Sequence, residues 1–256
     1  NHRLREGKEL SLVVDAGQQI GDATREVGGV SFHRVAGYAR LPYDKEGRYV
    51  LPPDLEEAVR QMRLPMTRFY ALGDEPFGLE AAIDKAAEFL NRIGVPQKAV
   101  PLEFEIQGAT SKLSPEVWAR GVRHSLDRGY GFRHWEITNE PYVGHAGRAF
   151  STADEYLEHF LSVSRALRQV HPDARIGMSI YHRSPAWGNY LLKKAAGHYD
   201  FVVPHYYCSA NVQRSSFEDV ALGGNYQLLD DALKINALLR TYNPQRDVCQ
   251  YDTEWG

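Results

Sequence analysis

Two acidic residues far apart in the chain carry the chemistry that this sequence offers. The segment HWEITNEP, residues 134–141, alternates like a strand and stops on Asn139 and Glu140, where Pro141 forbids the strand to continue. The segment DVCQYDTEWG, residues 247–256, ends in the same manner on Glu254 and Trp255. Two carboxyls facing each other across a small gap can divide the cleavage of an acetal between them. One protonates the departing oxygen and the other attacks the carbon that the oxygen leaves. That division needs both groups at one place, so the elements that position them decide whether it is available.

Those elements alternate. Strands are predicted at GGVSFH (28–33), MTRFYAL (66–72), VPLEFEI (100–106), FRHWEITNE (132–140), ARIGMSIYH (174–182), FVVPHYY (201–207) and residues 247–256. A helix precedes each strand but the first. Asp54 and Glu57 read as a cap for the first helix, with Leu55, Ala58, Val59 and Met62 as its apolar stripe. LEAAIDKAAEFLNRIG (79–94) closes on a glycine stop, and Ser114-Pro115 opens a helix that runs to Gly129. Tyr156, Phe160, Val163 and Leu167 share one face of a helix from Thr152 to Val170. A short helix follows at YLLKKAAGHYD, and the sixth spans residues 225–243.

Strict alternation implies parallel strands joined by right-handed crossovers, and the absence of a linker reads as one domain. Strand parity chooses between the two parallel architectures. Glu103, Glu105 and Gln107 share one face of their strand, and Gln250, Asp252 and Glu254 share one face of theirs. A doubly wound sheet meets helices on both faces and makes such a polar face costly, whereas a closed barrel turns it inward near the mouth. The expected fold is a (β/α)8 TIM-type barrel cut short after the seventh strand. ELSLVVDA (9–16) has strand character and is expected in a small accessory sheet within residues 1–27.

Functional groups of such barrels collect at the C-terminal strand ends. Those ends place His33, Arg68, Glu105, Asn139, Glu140, His182, His205, Tyr207, Glu254 and Trp255 on one rim. Two glutamates among arginine, asparagine, histidine and tyrosine are the inventory of a retaining glycosidase, whose carboxyls stand about 5–5.5 Å apart. Glu105 is expected to pair with Arg68. His33 and His182 divide between substrate contact and rim structure, and His205 between support of the carboxyls and a bond within the barrel. Trp135 has outward parity and is expected under a helix. Trp187 and Trp255 suit sugar-stacking platforms or plain burial.

TNEP at the fourth strand, TEWG at the seventh, HYY at the sixth and TRFY at the second resemble clan A glycoside hydrolases. Within that clan the chain is most similar to family 39, the β-xylosidases and α-L-iduronidases. GVPQKAVPLEFEI, WEITNEP, HPDARIGMS and DFVVPHYY carry the likeness over most of the chain. The resemblance implies Glu140 as general acid/base, Glu254 as nucleophile and Asn139 as a partner of the hydroxyl beside the anomeric carbon. It also implies that Arg68 and Tyr207 keep Glu254 ionised, and that the negative charge of Glu254 raises the pKa of Glu140. The substrate it implies is a β-xyloside or a related pentose, uronic acid or deoxysugar glycoside. A rival reading keeps the cleft as an inactive carbohydrate-binding barrel, and another makes Glu140 the proton abstractor of a lyase or isomerase.

Bulk composition excludes several other classes. The chain has 256 residues, 43% of them apolar and 25% charged, with a formal net charge of −3, which argues against disorder and against a dedicated nucleic-acid binder. No apolar run approaches membrane-spanning length and no leader opens the sequence, although Asn1 is not a natural start. The ten histidines are scattered without metal-ligand spacing, so neither metal nor cofactor is expected. Phosphate-binding and nucleophile-elbow motifs are missing. Cys208 and Cys249 stand at different strand depths, about 16 Å apart along the axis, which forbids a bridge.

Overall fold

The computed structural model describes residues 17, 28–36, 41–105, 112–143, 150–207 and 225–254. The candidate accessory strand at 9–16, Gln107, Cys208 and Trp255 lie outside the described residues. Seven parallel strands hydrogen-bond in sequence order: β1 (Val30–His33), β2 (Thr67–Phe69), β3 (Pro101–Leu102), β4 (His134–Ile137), β5 (Arg175–Ser179), β6 (Phe201–Val203) and β7 (Cys249–Gln250). They form a curled sheet of the TIM-barrel type with helices outside. Among the described residues β1 and β7 are its two edges. Each ladder is shorter than its sequence pattern, because hydrogen-bonded pairing ends before the strand direction does.

The helices are α1 (Pro53–Gln61), α2 (Leu79–Ile93), α3 (Pro115–Asp127), α4 (Ala153–Val170), α5 (Leu191–Lys194) and α6 (Asn225–Tyr242). Their ends follow local chemistry. Gly94 takes φ 73° at the end of α2, a conformation that costs a glycine little. Ser114 caps α3 by accepting from Val117 N–H, with Pro115 as the first helical residue. Thr152 does the same for α4 through Glu155 N–H at 3.2 Å. The α4 stripe of Tyr156, Phe160, Val163 and Leu167 is fully buried. The α1 cap differs from expectation: no side chain caps this helix, which begins at Pro53 and holds Asp54 in its first turn. Its stripe meets the core only through half-buried Val59, since α1 fully buries no residue and Leu55 and Met62 are exposed. A five-residue π-helical segment, Ala186–Tyr190, leads into α5. None of the described helices is long and apolar enough to cross a membrane.

The two faces of the sheet are filled differently. Outside, Phe104 stacks on Trp118 of α3 at 4.4 Å and meets Trp135 edge-on at 5.7 Å, so Trp135 lies under a helix as its parity demands. Inside, the floor is aromatic: Phe201 lies 4.9 Å from Tyr251 and 5.6 Å from His134, centroid to centroid. Burial, aided by Arg175, pushes the His134 imidazole down to about 4 and keeps it neutral in that floor. Above it lies an ionic layer, where Glu103, Arg68 and Glu136 are all buried.

Parity lapses where the ladders end. Glu103 points inward and accepts from the backbone of Ala71 at 2.8 Å and of Glu105. Glu105, three residues beyond the β3 ladder, is instead bound by His159 of α4 at 2.8 Å and by Thr138. Gln250 likewise turns outward, donating to Asn236 at 2.6 Å and Ala232 at 2.9 Å on α6, because β7 is paired over only two residues. Cys249 is a free thiol.

Gly177 on β5 makes room for the floor. A Cβ there would lie 2.2 Å from the Phe201 ring, which His134 and Tyr251 hold from other sides. Gly177→Ala should therefore destabilise the fold by about 1–3 kcal/mol through overpacking. Urea unfolding checks it, and an unchanged midpoint would refute the packing described.

Candidate active site

The site is organised around Arg68, the central residue of β2, which is buried to 2% exposure. Its Nε and Nη2 donate to the two oxygens of Glu136 on β4 at 2.9 and 2.5 Å, a bidentate pair. Nη2 also reaches Asn139 Oδ1 at 2.6 Å, and Nη1 reaches Glu254 Oε1 at 2.7 Å. The guanidinium carbon lies 4.9 Å from the centroid of the Tyr70 ring. The partner anticipated for Arg68 was Glu105; Glu136 takes that place because it shares the inward face of β4 at the same depth.

Glu254 is held from both sides. Arg68 takes one carboxylate oxygen, and Tyr207 O–H donates to the other at 3.0 Å. Burial works to raise its pKa, but His205, the Arg68 charge and the hydrogen bonds from Arg68 and Tyr207 outweigh it, so the carboxyl sits below its ordinary value. Burial and the adjacent Glu254 push the Tyr207 hydroxyl upward, which leaves it a neutral donor. Glu140 is held from the other direction: His205 Nδ1 lies 3.0 Å from its Oε1, and His205 Nε2 lies 2.9 Å from Thr253 Oγ1. His205 thus ties the residue before Glu254 to Glu140.

One carboxylate oxygen of Glu140, one ring nitrogen of His205 and one carboxylate oxygen of Glu254 all lie within 4.8 Å of one another. Both carboxyls are half-buried and open to the rim. This set of three donors also suits a divalent cation, a possibility invisible to local spacing because the three residues come from three strands. Such an ion would compete for Glu254 with the charge of Arg68 at 2.7 Å.

Backbone strain collects at the same rim. His33, Ala71, Thr138, Glu140 and His205 all have φ between 42° and 63°, although none is glycine. They stand where β1, β2, β4 and β6 give way to loops, and each turns its chain sharply at the barrel mouth. Strained residues of this kind persist only where the surrounding structure holds them.

The remaining candidates separate. His33 faces the site: its Nδ1 lies 3.1 Å from Tyr70 O–H, burial lowers its pKa, and the charges of Glu254 and Arg68 both act on it. With Arg68, Tyr207 and Glu254 it lines a cavity of about 800 Å³ between β1 and β7. His182 is structural instead. Its buried ring contacts Pro204 O through Nδ1 at 3.2 Å and Asp231 of α6 through Nε2 at 3.3 Å. Glu105 belongs to the pair with His159. Sequence reasoning missed Glu136 and Thr253; the alternation His134-Trp135-Glu136 points Glu136 inward, which was the available signal.

No family model matches this chain, and no curated protein matches it either. Solved structures do. An arabinofuranosidase is 18% identical with a TM-score of 0.66 over 90% of this chain and 55% of its own. A family 51 α-L-arabinofuranosidase from Bifidobacterium longum is 16% identical with a TM-score of 0.61, over 91% and 56%. A monomeric β-xylosidase from Caulobacter crescentus is 17% identical with a TM-score of 0.53, over 80% and 49%. The chain spans about half the length of these structures, and the likeness establishes a shared (β/α)8-type barrel fold.

Two measurements test the site's electrostatics. Arg68→Ala would leave Glu136 buried and unpaired, and should cost about 3–5 kcal/mol of stability in urea unfolding. The second concerns acid. Because the native carboxyl of Glu254 titrates below the ordinary 4.5, its stabilisation is present above that value and is lost as pH falls through the lowered one. Glu254→Gln should remove that part of the acid-side slope when unfolding is repeated at stepped pH; an identical slope would contradict the pairing.

Proposed function

We propose that the chain is a retaining glycoside hydrolase that works by double displacement. Glu254 attacks the anomeric carbon while Glu140 gives its proton to the departing oxygen, so the glycosidic bond breaks as an ester to Glu254 forms. Water then donates a proton to Glu140 and its oxygen joins the anomeric carbon, which breaks the ester and returns both groups to their starting states. Two inversions give net retention. The observation that carries this reading is that one carboxylate oxygen of Glu140 lies within 4.8 Å of one of Glu254, an approach that suits the pair of carboxyls about 5–5.5 Å apart that retaining enzymes use.

The surrounding residues have roles that fit. Arg68 and Tyr207 keep Glu254 ionised and aimed, which a nucleophile needs and a purely binding cleft does not. Arg68 also grips the carbonyl end of Asn139, fixing the amide so that its NH2 is offered elsewhere, in this reading to the hydroxyl next to the anomeric carbon. His205 orients Glu140. The substrate is a β-xyloside or a related pentose, uronic acid or deoxysugar glycoside, in keeping with the family 39 resemblance of TNEP and TEWG. The glycosidase names of the solved neighbours lend it support.

A panel of nitrophenyl glycosides tests the proposal. Glu254→Ala should abolish turnover of every substrate, with azide restoring some activity and yielding the inverted glycosyl azide. Glu140→Ala should lose about 10²–10⁴-fold on poor leaving groups and far less on activated ones. The first product released by the wild type, followed by proton NMR, should keep the anomeric configuration. Unimpaired turnover by either variant, or an inverted first product, would end the double-displacement reading.

A further inference from the structure

Two aromatic rings beside Glu140 have no part in the chemistry described so far. Tyr142 lies two residues past Glu140, on a turn closed by Val143 N–H donating to Glu140 O at 3.0 Å. Its ring is stacked on Tyr181, with centroids 5.1 Å apart and planes inclined by 20°. Behind the pair, Trp187 meets Tyr142 edge-on at 6.4 Å. Tyr181 is pinned at its backbone as well: its N–H donates to Trp187 O at 2.9 Å, and its carbonyl accepts from Ser184 N–H at 3.0 Å. Gly188 permits this close return, since a Cβ there would lie 2.9 Å from Tyr181 O. Despite that scaffolding, Tyr181 is 38% exposed.

A fixed, stacked and exposed aromatic at a polar rim offers a flat apolar face without paying ordering entropy at binding. Its position says which part of a glycoside it would meet. Glu254 lines the cavity between β1 and β7, and as the proposed nucleophile it marks the attacked side of a bound sugar. Glu140 lies on the side from which the leaving group departs, and Tyr142 and Tyr181 continue from Glu140 across the ends of β4 and β5. Burial, reinforced by the nearby charges of Glu140 and Glu254, holds the Tyr142 hydroxyl protonated, so it stands beside the carboxyls as a neutral group.

We propose that Tyr181, backed by Tyr142, is the platform on which the leaving group of the substrate stacks, and that it selects flat aglycones, a pyranose ring or an aryl group, over alkyl chains. The inference rests on the assignment of Glu140 as the acid. Stacking against the leaving group contributes before it departs and is lost afterwards, so it also holds the scissile oxygen against Glu140.

The test compares a nitrophenyl glycoside with the glycosyl fluoride of the same sugar, whose leaving group has no ring to stack. Tyr181→Ala should lower kcat/KM for the aryl glycoside about tenfold, mainly through KM, and leave the fluoride within about twofold. Tyr181→Phe, which keeps the ring, should behave as wild type on both. Equal losses on the two substrates, or no loss on the aryl glycoside, would overturn the proposal. If the wild type cleaves neither substrate, the hydrolase reading fails by itself, and the platform is then read by titrating 4-nitrophenyl β-xyloside into wild type and Tyr181→Ala. Weaker binding to the variant supports the platform, and equal binding refutes it.

Discussion

A guanidinium sealed inside a barrel sets the terms for everything at its mouth. Arg68 cannot be deprotonated and cannot reach bulk water, so its charge has to be met by protein. Glu136 meets it with both oxygens, and the remaining edge of the guanidinium is turned to Asn139 and Glu254. One buried cation thereby fixes an amide and a carboxylate that come from different strands. Taking any one partner away leaves another stranded in a medium where stranded charge is costly. The curled sheet encloses this layer: Arg68 on β2, Glu103 just past β3 and Glu136 on β4 are all buried and satisfy one another's surroundings.

The rim is where regular structure ends and strain begins. Five non-glycine residues in left-handed conformation stand at the ends of four strands, three of them Glu140, His205 and His33 of the candidate site. Each departs from the strand direction at the point where a side chain has to be presented to the mouth. The cost, of order 1–3 kcal/mol per residue, is carried by the packed layers below. Tyr156 shows how α4 contributes to this support. Its hydroxyl donates to Ile137 O at 2.9 Å and accepts from Ser179 N–H at 3.0 Å, clamping β4 to β5 just beneath the loop that carries Glu140.

The order and type of elements were legible in the sequence because both periods are clear and glycines, prolines and capping residues mark the boundaries. Glu140, Glu254, Asn139, Arg68, His205 and Tyr207 come together as strand-end reasoning expected, since parallel strands deliver their C-terminal ends to one rim whatever the loops do. What escaped lies beyond the paired ladder. Glu105 follows a two-residue strand and Gln250 ends one, so counting by twos gave the wrong face, and Arg68 found Glu136 instead. The α1 stripe misled in another way, because amphipathic spacing states only that a face is available to pack. Tyr142 and Tyr181 sit in turns with no period at all, and His182 differs from His205 only through an aspartate that α6 brings from 49 residues further along the chain.

The contact between Arg68 and Glu254 joins residues 186 positions apart. Helix turns and single βαβ units can form early and locally, but this bond closes a loop through nearly every element and bears the full entropy of doing so. The carboxyl pair therefore has no partial form. A chain with β1 to β6 in place has Arg68 and Glu136 together yet lacks the second acid, so whatever the mouth does becomes possible only when β7 docks.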